Sequence, residues 1–450
     1  MKSFILLSPA GDFSSLSAAL ANGADAVYFG VGKFNMRSLG STNFRVADLP
    51  EIVRRCRDRG VFAWLALNCV IYESELPAVK SLCLAAKAAG VDAVIAGDLA
   101  VLQMARDCGL SVHLSVQANI CNSHALKFYS AFVDVVVLAR ELTLAQVQQL
   151  CDRIRKDRIC GPSGELLKVE LFIHGALCMA LAGTCYLSLA EYNSSANRGA
   201  CLQNCRRAYT LRDTESGAEI ELDHQYLLSP KDLCTLPILE RILASGVSIL
   251  KIEGRGRSPD YVAAVTRVYR EAIDEFSIKG GIATEKLPVW EKSLSSVFNR
   301  GFWEGGYYLG DKTSAWAKSG DNQATRRKTF LGPVVNFFNK AKIAEIALKS
   351  GPLLPGDQVV IIGPTTGAIE FTVTEIRKAD EKVAIAAKGD TVTFPCPEKV
   401  RPNDCLYRFR PVHKKQSPCP TGPASAECQK NEKKSNGGIL SASSFHHGSE

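Results

Sequence analysis

The first 280 residues alternate between two hydrophobic periods, and few folds accept such a chain. Short β-branched or apolar runs occur at 4–8, 26–30, 61–67, 93–96, 112–116, 135–138, 169–173 and 249–253. Amphipathic stretches lie between and after them, near 14–22, 47–58, 75–88, 99–107, 123–131, 143–156, 235–245 and 259–277. A period near two reads as strand and a period near 3.6 as helix. Eight strands alternating with eight helices predict a parallel (β/α)8, TIM-like barrel of the α/β class. The runs are nearly all apolar, as strands covered on both faces must be. Periodicity does not show closure, and a doubly wound open sheet carries the same alternation.

In a barrel of this kind the active site gathers at the C-terminal ends of the strands. Those ends read Ser8-Pro-Ala-Gly11, Tyr28-Phe-Gly30, Asn68, Gly97-Asp98, Gln117-Ala-Asn119, Arg140-Glu141, His174-Gly175 and Glu253-Gly-Arg255. Glycine, amide and charged groups dominate. Turn chemistry alone also places Gly, Asn and Asp there, so the set carries more weight than any member.

The longest insertion, 176–230, follows the seventh strand and is therefore expected over the barrel mouth. It holds Cys178, Cys185, Cys201 and Cys205, and Cys234 follows closely. Four thiolates suit a soft metal centre, either zinc or an iron–sulfur cluster. The spacing matches neither a zinc finger nor the compact ferredoxin run. Arg198, Arg206 and Arg207 would favour thiolates electrostatically, or contact phosphates. Sixteen cysteines in 450 residues are too few for a disulfide scaffold. No signal-peptide pattern opens the chain, so a cytoplasmic setting with reduced thiols is expected. No apolar run is long enough to span a membrane.

The rhythm changes after the barrel. Residues 1–284 form the barrel with its insertion, 285–327 a helical and aromatic connector, and 328–412 a small antiparallel β-barrel. Its turns fall at Pro355-Gly-Asp357, Gly363-Pro-Thr-Thr-Gly367 and Lys388-Gly-Asp390. Residues 413–450 read as a disordered tail. From 326 on, 19 Lys and Arg face 12 Asp and Glu, which is most of the whole chain's surplus of +8. A basic terminal module on a near-neutral body suits a polyanion such as RNA.

The run Glu170-Leu-Phe-Ile-His-Gly-Ala-Leu-Cys178 with Gly183-Thr-Cys185-Tyr-Leu-Ser188 resembles the signature of the collagenase-like peptidase family. Leu7-Ser-Pro-Ala-Gly11, Gly23-Ala-Asp-Ala-Val-Tyr28, Leu114-Ser-Val-Gln-Ala-Asn119 and Leu250-Lys-Ile-Glu-Gly-Arg255 agree with it. The similarity spans about residues 3–410 and is strongest toward the family's tRNA hydroxylation branch. It implies a four-iron four-sulfur cluster, tRNA as substrate, and conversion of the wobble uridine to 5-hydroxyuridine with prephenate as co-substrate. A ribosomal-RNA branch hydroxylates a cytidine instead.

Carried over residue by residue, the resemblance implies Cys178, Cys185, Cys201 and Cys205 as cluster ligands. In a quinone-hydroxylating branch the fourth ligand stands where this chain has Cys234, so both sets are open. His174, Lys251, Glu253 and Arg255 are the expected catalytic group. A proton relay would run through His174 or Glu253, and Lys251 and Arg255 would hold carboxylates. Gln117, Asn119, Glu170, Arg198 and Arg206 are the expected substrate contacts. The family name itself offers a peptidase, but neither a His-Glu-x-x-His helix nor a Gly-x-Ser-x-Gly elbow is present. A Cys178–His174 pair would be its only candidate dyad. A non-catalytic RNA-binding metalloprotein is the third reading.

Overall fold

The computed structural model describes residues 4–217, 219–220, 226, 228–303, 316–317 and 322–412. Seven parallel strands follow in order: β1 (Ile5–Ala10), β2 (Ala26–Gly30), β3 (Phe62–Leu67), β4 (Ala93–Ala96), β5 (Ser111–Leu114), β6 (Val135–Val137) and β7 (Lys168–Ala176). The next parallel strand, Ile249–Ile252, pairs with β1 on one side and β7 on the other, Ile249 lying beside both Ile5 and Glu170. That double pairing closes the barrel and excludes the open-sheet alternative.

Between the strands run α1 (Phe13–Ala21), α2 (Leu49–Arg57), α3 (Leu76–Ala89), α4 (Leu99–Asp107), α5 (Ser123–Ser130) and α6 (Leu144–Lys156). Their starts are written locally. The carboxylate of Asp12 accepts from the Ser15 amide at 2.7 Å, Asp98 accepts from Ala100 at 2.8 Å, and Asn122 accepts from Ala125 at 2.9 Å. Thr143 and Gln146 form a reciprocal capping box on α6. Pro50 and Pro77 open α2 and α3, where a missing N–H costs nothing. Gly90 ends α3 at φ 79°.

Strand β7 runs past the barrel wall, and this is what places the insertion. The chain leaves at Ala176, forms the short helix α7 (Leu187–Tyr192) and the hairpin β8 (Leu211–Arg212)–β9 (Glu219–Ile220), and returns as β10 (Asp232–Cys234). Strand β10 lies antiparallel on the protruding end of β7, Asp232 opposite Ala176 and Cys234 opposite His174. Helix α8 (Leu239–Ala244), β11 (Ile249–Ile252) and α9 (Pro259–Lys279) complete the barrel. Helix α10 (Leu287–Ser296) follows, then β12 (Phe302–Trp303), parallel to β10. The helical part of the predicted connector is thus α10, which Pro288 opens. The aromatic turn expected at 301–308 lies outside the described residues from 304 on.

Residues Arg326–Pro411 form an eight-stranded antiparallel sheet: β13 (Arg326–Phe338), β14 (Ile343–Ala347), β15 (Gln358–Gly363), β16 (Gly367–Thr372), β17 (Arg377–Lys378), β18 (Glu381–Lys382), β19 (Thr391–Pro395) and β20 (Cys405–Pro411). It has its own core around Leu331, Val359, Ile361, Phe394 and Leu406. It packs on α1, α2 and α9: Ser17 Oγ and Arg55 Nη1 donate to the Pro364 carbonyl at 2.8 and 2.7 Å, and Lys328 pairs with Asp260. Gly367 has φ 75°, and a Cβ there would meet the Ala18 amide nitrogen at 2.8 Å, so this approach requires glycine. The tail predicted at 413–450 lies outside the described residues. Among those described, no helix is long and apolar enough to cross a membrane.

Candidate active site

The mouth of the barrel holds a cavity of about 360 Å³. Its lining includes Arg37, Arg140, Arg206, Lys251, Arg255, Arg257 and Arg300 against only Glu141 and Glu253. Seven cations in a concave, partly desolvated space create a field for an anion.

The cations come from several elements: Lys251 from β11, Arg255 and Arg257 from the loop after it, and the others from separate loops. Glu253, just past β11, accepts from Arg37 at 2.9 and 3.2 Å and from the Tyr28 hydroxyl at 3.2 Å. Burial alone would raise the Glu253 pKa, but Arg37, Arg255 and Arg140 outweigh it and hold the carboxyl at about 2. Arg255 Nη1 donates to Asn35 at 2.9 Å. Arg140 lies 3.9 Å over the Phe172 ring, and its Nε finds no protein acceptor. Arg257 and Arg300 flank Asp232 at 3.7 and 3.5 Å.

Lys251 and Glu170 lie deeper, paired at 2.6 Å and nearly sealed from solvent. The lysine is bracketed by the Tyr28 and Phe172 rings at 4.7 and 5.1 Å. Glu170 Oε2 has no protein partner. Below them the His113 ring meets Trp64 edge-on at 4.4 Å.

The thiols of Cys178, Cys201 and Cys205 line the same cavity. Burial raises the Cys205 pKa, Arg206 pulls it back, and Cys178, Cys201 and Cys185 each act on it as neighbouring charges. Arg37 in turn feels Cys201. The Cys185 sulfur accepts the Leu187 amide at 3.4 Å. Four thiols therefore share one electrostatic neighbourhood at the cavity wall. Among the described residues, no three His, Cys, Asp or Glu side chains converge tightly enough to hold a single metal ion.

The expected site divides accordingly. Lys251, Glu253, Arg255, Gln117, Asn119 and Arg206 all line the cavity. His174 does not. A β-bulge in β7, where consecutive β11 residues Lys251 and Ile252 pair with Phe172 and His174, turns its ring outward, where it is 1% exposed and sits beside Tyr269, Tyr261 and Phe302 at 5.5, 6.0 and 5.6 Å. The relay through His174 is therefore corrected, and with it the Cys178–His174 dyad. Glu253 lines the cavity with its carboxylate engaged by Arg37 and the Tyr28 hydroxyl.

Glu170 is no direct substrate contact, because it is fully buried beneath Lys251. Arg198 is a strut rather than a substrate ligand. It grips Glu75 at 2.6 Å with two nitrogens and donates to the Val70 carbonyl at 2.6 Å, tying the insertion to the loop before α3. Arg206 also braces the insertion, donating to the Leu177 carbonyl at 2.6 Å and to Pro230. Cys234 is buried on β10 beside Tyr269, away from the other four.

Sequence reasoning missed Arg37, Arg257 and Arg300, which sit in loops without strand periodicity. It also missed His113, although a titratable group inside the apolar run Val112-His-Leu114 was a usable signal.

A model of peptidase family U32 matches residues 11–318. The chain belongs to peptidase family U32. Its relatives carry two kinds of name. A Porphyromonas gingivalis protein called a collagenase is 47% identical over 406 residues, covering 90% of this chain and 98% of that one. An Escherichia coli 23S rRNA 5-hydroxycytidine synthase is 32% identical over 79% of this chain and 52% of its own length. The tRNA hydroxylation protein P of Escherichia coli is 26% identical over 89% and 95%.

The two buried imidazoles make one property of this family member measurable. Burial, reinforced by Lys251 at His113 and by Arg257 at His174, pushes both rings down to about 3. The unfolded chain titrates near 6.5, so it binds more protons than the native state between those values. Stability is full above pH 6.5 and falls as pH drops through that window. From pH 7 to 5 the expected loss is about 2 kcal/mol per ring. Urea midpoints measured across this range check it, and a flat profile above pH 5 would refute it.

Proposed function

We propose that this protein is an RNA-modifying enzyme that hydroxylates a pyrimidine, with the wobble uridine of tRNA as target and 5-hydroxyuridine as product. One observation carries the reading: Cys178, Cys201 and Cys205 border a cavity whose charged lining is almost wholly cationic, and Cys185 is close enough to act on Cys205. Relatives named for tRNA and rRNA hydroxylation support it.

Cys178, Cys185, Cys201 and Cys205 are the residues that would hold a four-iron four-sulfur cluster. Their spread, too wide for one ion yet close enough for mutual electrostatic contact, suits a centre of several atoms. A cluster bound there would supply one-electron chemistry at the cavity edge. The chain's own groups do the rest. Arg140 and Arg255, free of carboxylate partners in their hydrogen bonds, are placed to take the carboxylates of a small dianion such as prephenate. Lys251 offers a third positive charge from below, fixed by Glu170. Glu253 stays ionised and holds Arg37 and Tyr28 in place. The basic sheet at Arg326–Pro411 would contact the RNA backbone.

A peptidase is the second reading, favoured by the collagenase name of a 47% identical relative. Anaerobic purification with iron and sulfide analysis, followed by mass spectrometry of tRNA nucleosides from a deletion strain, separates the two. We expect near-stoichiometric cluster and loss of 5-hydroxyuridine derivatives in the deletion. A metal-free or zinc-only protein that cleaves gelatin would overturn the hydroxylase.

A further inference from the structure

Around the cavity, the insertion and the loop before α3 expose aromatic rings that the proposed chemistry does not use. Tyr186 is 67% exposed, Tyr72 56% and Tyr192 44%. Tyr186 lies three residues after Gly183, which lines the cavity. Tyr192 ends α7, and Arg207 lies 5.0 Å from its ring and hydrogen-bonds its hydroxyl. Tyr72 carries the Arg198 guanidinium 4.1 Å over its ring. Leu181 and Leu202 are exposed beside them at 47% and 42%.

We infer that this rim is a stacking platform for an unpaired RNA loop, on which Tyr186, Tyr192 and Tyr72 receive the bases flanking the nucleotide that enters the cavity. The inference rests on the RNA reading above and specifies the form of RNA. Three physical points favour it. A cavity of about 360 Å³ admits one nucleotide or a small acid, never a duplex, so the reacting base must leave its stack. Neighbours of a splayed base lose stacking partners, and an exposed ring replaces them. Tyrosine rings of this exposure accept any base by stacking, and Tyr72 and Tyr192 are steadied by Arg198 and Arg207. An A-form duplex hides its base faces and would leave these rings without partners. A protein surface would match the apolar rings but gain little from the seven cations behind them.

The test is binding of an anticodon stem–loop carrying 2-aminopurine beside the wobble position, read by fluorescence quenching. Stacking is worth about 1–3 kcal/mol per base. Tyr186→Ala should therefore weaken binding by roughly 5- to 150-fold and abolish quenching, while Tyr186→Phe restores both. Iron content and melting temperature should stay at wild-type values in both variants, which excludes a collapsed insertion. If wild type modifies tRNA but Tyr186→Ala binds and quenches normally, the platform falls and the hydroxylase stands. Equal competition by a fully paired duplex also overturns the platform. If wild type binds no RNA, both fall together.

Discussion

Cys205→Ser is expected to strip the protein of iron and sulfide and to abolish hydroxylation, whereas Cys234→Ser keeps both. The two cysteines compete for one role on sequence grounds, and the fold separates them. Cys205 borders the cavity and is acted on by Cys178, Cys201 and Cys185. Cys234 lies on β10 opposite His174, 3% exposed, with the Tyr269 hydroxyl 3.9 Å from its sulfur.

The variants should differ in kind. A serine at 205 removes a soft ligand from a partly solvated wall, so metal is lost and folding is little affected. A serine at 234 puts a hydroxyl into an apolar wall at a cost of about 1–3 kcal/mol, so stability falls and metal stays. Visible absorption with iron and sulfide assays reads the first effect, and thermal melting reads the second. Iron lost from Cys234→Ser but retained by Cys205→Ser would invert the assignment of the fourth ligand.

The barrel was legible because its signal is local and repeated. All eight barrel strands and the eight barrel helices, α1–α6, α8 and α9, fall within a few residues of their predicted positions, since capping residues and β-branched runs mark them directly. The insertion's placement over the mouth was legible as well, because it follows from strand order alone. Side-chain direction at the end of β7 was not. His174 looked like a mouth residue because period-2 alternation puts it on the face of Phe172, which lines the cavity, yet its ring points the other way. Reading Glu170, Phe172 and His174 as one face requires an unbroken register. The pairing of β7 with β11 shifts between Lys251 and Ile252, which breaks it. Arg198 was misread for another reason: its partner Glu75 is 123 positions away, and no periodicity reports such a pairing.

The sequence showed Lys251 and Glu170 as charged residues in apolar strands but not that they pair, and the energetics of the pair lead to the other large effect. Lys251→Met should lower stability by about 3–5 kcal/mol, because it leaves a fully buried carboxylate without its counter-charge. At roughly 2–4 °C per kcal/mol for a domain of this size, the melting temperature should drop by about 10 °C. Glu170 Oε2 already lacks a protein partner, so no second group is poised to compensate.

The double variant Lys251→Met/Glu170→Leu should regain most of that loss, since apolar groups of similar volume replace a desolvated pair at little net cost. A double-mutant cycle on thermal or urea unfolding isolates this coupling. Activity should not return with stability, because the cavity has lost the cation under its anion site. A double variant that recovers both would make Lys251 a purely structural residue. A single variant that melts like wild type would mean that Glu170 is not stranded without its lysine, being solvated by water or protonated instead.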